Sequence, residues 1–164
     1  EAWAKTDNVV IVPWGARGYA SADLVMTTRP WSYRSALAEV PFAVACVNIG
    51  INDINTGVAQ ATYEANLATF LDAVLEQVPA PRVFTIVPND IAAGLGYLPG
   101  SIAAVAGVRG ITVLDTREAP GMSDYAAATA AGLMFDTLHP NNLGYAAQWD
   151  HFEPAIRAAV MALA

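Results

Sequence analysis

Asp136-Thr-Leu-His-Pro140 sets a carboxylate three residues before an imidazole. In a turn, that spacing lets the carboxylate accept the hydrogen bond of one ring nitrogen and leaves the other free to act as a base. Pro140 restrains His139 to an extended backbone and can start the helix that follows. The same residues also suit a capping aspartate beside a surface histidine, since short motifs recur by chance. A second group, Val47-Asn-Ile-Gly-Ile-Asn-Asp53, directly follows an apolar run. There Gly50 allows a tight turn, and the Asn52 amide offers two neutral N–H donors of the kind that stabilises an oxyanion. Asn and Asp are equally common as plain turn residues, and Asp53 reads that way, as a carboxylate accepting backbone N–H bonds. A third group, Trp14-Gly-Ala-Arg-Gly-Tyr-Ala-Ser21, lies after another apolar run. A glycine such as Gly18 can present its backbone N–H to the same oxyanion with no side chain in the way.

These groups can cooperate only if the fold brings them to one place. Near-continuous apolar runs at 42–48, 9–12, 82–87 and 111–114 have the character of strands buried on both faces. Between them, 62–78 carries Leu67, Phe70, Leu71, Val74, Leu75 and Val78 at helical spacing, with Thr62 as its N-cap. Segments 21–26, 31–39, 99–106 and 141–163 are further helices. The alternation predicts an α/β domain, a parallel sheet with helices on both faces and right-handed crossovers. Ligands of such sheets bind outside the carboxyl ends of the strands. The stretches 14–18, 49–57, 89–96, 115–121 and 136–142 are therefore the loops that would carry chemistry, with Asn89 and Asp90 bordering the cleft.

Composition narrows the chemistry. The chain has 164 residues, 15 acidic against 8 basic, a formal charge of -7, 55% hydrophobic residues and a mean hydropathy of +0.37. That length suits one domain. Its longest apolar runs span six or seven residues, whereas a bilayer span needs roughly 20, so no membrane span is expected. With Lys5 as its one lysine, the chain has no basic stripe for phosphates, which argues against nucleic acid as a partner. Cys46 reads as a small core hydrophobe and excludes a disulfide within these residues. Two histidines, His139 and His151, without a cysteine cluster or a His-x-His pair, argue against a structural zinc or a dinuclear metal centre. The expected chemistry uses side chains and no cofactor. His151 reads as a partly exposed helical residue, and Trp14, Trp31, Tyr33 and Tyr97 as aromatics covering the core.

Taken together and in this order, the three groups resemble the SGNH, or GDSL-type, esterase and lipase family. Gly50 to Asp53 match its Gly-x-Asn-Asp block, Asp136 to Pro140 its Asp-x-x-His-Pro block, and Gly18 its isolated glycine. The resemblance implies a three-layer α/β/α, flavodoxin-like fold. It also implies ester hydrolysis by a serine nucleophile, with His139 as base, Asp136 as its orienter, and Gly18 and Asn52 in the oxyanion hole. A small acyl ester, either a carbohydrate O-acetyl group or a short-chain ester, is the substrate class it favours.

The family's Gly-Asp-Ser block is absent. Of the five serines (Ser21, Ser32, Ser35, Ser101, Ser123), Ser21 alone closely follows a strand, and it reads as a helix N-cap. In the family's order the nucleophile precedes the glycine block by a helix and a strand. The expectation is thus that 1–164 forms a single domain lacking its first strand, with the serine before residue 1 and a separate N-terminal segment completing the sheet between 9–12 and 42–48. Two rival readings stand beside this one: a catalytically degenerate module that binds a glycan or a protein, and a two-metal phosphoesterase using Asn52, Asp53 and His139.

Overall fold

Val83–Val87 is apolar on both sides of its pleat. In the structure, a computed structural model describing residues 18–26 and 42–163, it is the middle strand of a parallel three-stranded sheet. In chain order the helices are α1 (Ser21–Val25), α2 (Ile51–Thr56), α3 (Gln60–Leu75), α4 (Leu98–Gly107), α5 (Tyr125–Ala130) and α6 (Asn142–Met161). The strands are β1 (Ala45–Asn48), β2 (Val83–Val87) and β3 (Thr112–Asp115), with short 3-10 turns at Ala80–Arg82 and Thr116–Glu118. Ala45 pairs with Val83 and Asn48 with Ile86, while Phe84 pairs with Thr112 and Val87 with Asp115. Parallel neighbours need crossovers, which α2 with α3 and then α4 supply.

Alternation along β2 divides the core in two. Val83 and Val87 join Tyr63, Leu67, Leu71 and Val74 of α3, Leu98 and Ile102 of α4, and Leu24 of α1 in one buried cluster. Phe84 and Leu114 face the other way, against Phe152 and Ile156 of α6. Helix, sheet and helix thus form three layers, the α/β arrangement that the strand and helix alternation predicts.

Several boundaries move. Segment 49–57, expected as a loop, contains α2, bracketed by Gly50 at φ 135° and by Gly57 in the left-handed region. Asn and Asp usually compete with helical backbone, but here Asn52 and Asp53 bond to a distant segment instead. Space is tight at Gly50 as well, since a Cβ there would lie 2.6 Å from Leu98 Cδ2 and the buried Leu98 side chain would have to shift. Helix α3 begins at Gln60, so its N-cap is Ala59 and not Thr62. Cys46, expected in the core, is exposed on β1. Helix α5, capped by Asp124 accepting from Ala127 N at 2.8 Å, carries too little apolar periodicity to stand out in sequence. The expected strand 9–12 and helix 31–39 lie outside the described residues.

Candidate active site

The segment between α5 and α6 folds back on itself. Phe135 N donates to His139 O at 2.8 Å, and Asn141 N donates to Leu133 O at 2.8 Å. Within this narrow turn Asp136 Oδ1 accepts from Leu138 N at 2.7 Å and from His139 N at 2.6 Å. Asp136 Oδ2 lies 2.9 Å from His139 Nδ1. A ring nitrogen against a carboxylate carries the proton, which leaves Nε2 as the basic nitrogen. No hydrogen bond engages Nε2 among the described residues. The bond from the His139 ring, then the backbone N–H groups of His139 and Leu138, hold the Asp136 carboxyl down at about 2. A folded value below the ordinary one means the carboxylate stabilises this turn above the usual carboxylate range and loses that effect only as pH falls toward about 2.

Asn141, not Pro140, opens α6. Its Oδ1 accepts from Leu143 N at 2.9 Å and Gly144 N at 3.1 Å, as an N-cap does. Its Nδ2 donates to Gly132 O at 2.7 Å, so one side chain ties both strands of the turn to the helix. Gly144 makes this approach possible, because a Cβ there would lie 2.3 Å from Leu133 O and 2.8 Å from Pro140 Cβ. Gly144→Ala is expected to destabilise the fold by about 1–3 kcal/mol, the usual cost of overpacking. Thermal melts check it. An unchanged melting temperature would mean the turn is not held against α6 in this way.

On the sheet's carboxyl edge, Asn52 and Asp53 near the start of α2 reach the segment that leads into α1. Asn52 Nδ2 donates to Tyr19 O at 2.8 Å, which brings its amide beside the Gly18 turn and leaves its second N–H for another acceptor. Asp53, fully buried, accepts the backbone N–H of Ser21 at 2.9 Å and its hydroxyl at 2.6 Å. Ser21 Oγ in turn accepts from Asn66 Nδ2 at 3.0 Å. Ser21 is therefore not the N-cap of α1. Ala20 holds that position, with Asp23 accepting its N–H at 2.9 Å, and Ser21 is the first helical residue, its hydroxyl committed to Asp53. The reason is tertiary: a buried carboxylate needs donors, and Ser21 supplies two.

Two residues of the expected 89–96 loop hold the turn in place. Asn89, just past β2 and 7% exposed, donates from Nδ2 to Leu138 O at 3.1 Å, and Ala92 N donates to Thr137 O at 3.0 Å. The sequence signal for Asn89 is its place after a strand, but nothing local points to Leu138. Asp90 Oδ2 accepts Tyr125 N at 3.2 Å, at the start of α5. Tyr97 caps the core, its hydroxyl donating to Val58 O and its ring 5.6 Å from that of Tyr63. His151 lies on α6 with its Nε2 3.6 Å from Glu118.

Phe135, Pro140, Asn141, Asn142 and Leu143 line a shallow trough of about 510 Å³ beside the turn, with Phe135 and Leu143 strongly exposed. Of the other described serines, Ser101 donates its hydroxyl to Glu64 at 2.7 Å and Ser123 to Asp124 at 3.5 Å. Ser32, Ser35, Trp14, Trp31 and Tyr33 lie outside the described residues. Among the described residues no group of three His, Cys, Asp or Glu side chains is placed to hold a metal ion, and no helix is long and apolar enough to cross a membrane.

A family model described as the GDSL-like Lipase/Acylhydrolase family matches residues 2–147. Comparison with curated proteins found no match.

Proposed function

Since the chain belongs to the GDSL-like lipase/acylhydrolase family, and is at that general level an ester hydrolase, we propose that it acts as a serine esterase on a small acyl ester, a carbohydrate O-acetyl group or a short-chain ester. The observation that carries this reading is the Asp136–His139 pair, its Nδ1 bound and its Nε2 unengaged by the described residues. In the proposed reaction His139 Nε2 takes the serine proton as Oγ attacks the acyl carbon. The imidazolium so formed is stabilised by Asp136. The oxyanion of the tetrahedral intermediate receives the Gly18 N–H and the second N–H of Asn52. Collapse expels the alcohol, protonated by His139, and water activated by the same ring then frees the acid and restores the serine. Phe135 and Leu143 offer apolar surface beside the pair. No cofactor takes part.

The proposed nucleophile sits on a Gly-Asp-Ser block that residues 1–164 do not contain. That block would complete a single domain by adding a strand beside β1. Fluorophosphonate labelling with peptide mass mapping tests this on the full-length protein and on residues 1–164 alone. The expected result is one labelled serine outside these residues in the full-length protein and no label on 1–164 alone. A label on Ser21, Ser32 or Ser35 would overturn the placement. An unlabelled full-length protein without ester turnover would favour a degenerate binding module.

A further inference from the structure

We propose that Asn89 is a positioning residue for the Asp136–His139 pair, pinning the carbonyl of Leu138 and so fixing the backbone from which the His139 ring projects. The inference deepens the esterase reading and takes from it the role of His139 as base.

The His139 side chain is 58% exposed, so packing does little to orient it. Its direction must come from hydrogen bonds to its own turn. The N–H groups of Leu138 and His139 are held from inside the turn by Asp136, and His139 O is held by Phe135 N. These bonds shape the turn but do not place it against the sheet. The carbonyls of Thr137 and Leu138 do that, and both are bound by the loop after β2, through Ala92 N and Asn89 Nδ2. Asn89 also donates to Asp90 O at 3.2 Å, which fixes its own amide plane. Of the two anchors, Asn89 is the side chain, it is buried, and its partner carbonyl belongs to the residue directly before His139. A base must stay within hydrogen-bonding reach of the nucleophile throughout the reaction, and a misplacement of about 1 Å can cost roughly 10²-fold in rate. The bonds of Asn89 go to the backbone carbonyls of Asp90 and Leu138. Asn89 acts through the backbone of residue 138.

Asn89→Asp tests the idea, because it keeps the side chain's size while setting an acceptor against the Leu138 carbonyl. In the full-length protein, kcat on a p-nitrophenyl ester should fall roughly 10- to 100-fold with KM within about two-fold. The Asp136 carboxyl, followed by carbon NMR, should titrate above its native midpoint as the ring loses its fixed place. Loss of melting temperature with kcat and the Asp136 midpoint both unchanged would show a merely structural role and overturn the inference. If Asn89→Asp fails to fold, exchange of the Asn89 side-chain amide protons in the native protein decides. Exchange much slower than at the exposed Asn142 amide supports the pin, and equal rates refute it. If the protein shows no ester turnover at all, the proposed function fails, while the Asp136 titration and the Asn89 exchange still judge the pin.

Discussion

Replacing His139 with glutamine is expected to lower ester turnover by the full-length protein by about 10⁴-fold or more, the scale on which a catalytic base acts together with its nucleophile. The melting temperature should scarcely move. The ring is more than half exposed and so contributes little buried area, and substitutions at such sites usually fall within about 0.5 kcal/mol. Glutamine cannot take a proton at neutral pH. The loss would therefore lie in kcat, with substrate affinity kept. Steady-state kinetics beside a thermal melt make the check, and turnover retained within ten-fold would refute the role of His139 as base. The same variant should free Asp136 from its strongest partner, since the bond from the ring is the first cause of its depressed titration. Its carboxyl should then titrate above about 2, toward the ordinary carboxylate range.

The second large effect is expected at Asn52. Asn52→Ala should reduce kcat by roughly 10²- to 10³-fold, the usual cost of losing one oxyanion donor. Asn52 also donates to Tyr19 O, so part of the loss would come from the Gly18 turn relaxing away. Asn52→Asp separates the contributions, because a carboxylate placed at an oxyanion repels it, and this variant should be at least as slow as alanine. Turnover equal to the native rate in both would leave Asn52 as a tie between α2 and the Gly18 turn, with no part in the reaction.

What could be read without coordinates has a common physical basis. The Asp136–His139 bond joins residues three apart, the stripe of α3 repeats within a few turns, and the apolar run of β2 is broken only by Thr85. Each depends on side chains close in sequence, so residue type and spacing make it legible before the fold is known. The parallel α/β class follows in the same way, because alternating strands and helices have few other means of burying their apolar faces. Segment 49–57 shows the limit. Its Asn, Asp and Gly residues have the local preferences of a loop, yet α2 forms there because Asn52 bonds to Tyr19 and Asp53 to Ser21. Ser21 likewise has the local preference of an N-cap, and a buried carboxylate 32 residues away takes its hydroxyl instead. Asn89 and Leu138 are 49 residues apart and share no periodicity. Such contacts arise from which loops adjoin at the carboxyl edge once β1, β2 and β3 are in register. A hydrogen bond across that distance is set by chain closure and burial, and it leaves no trace in the residues on either side of it.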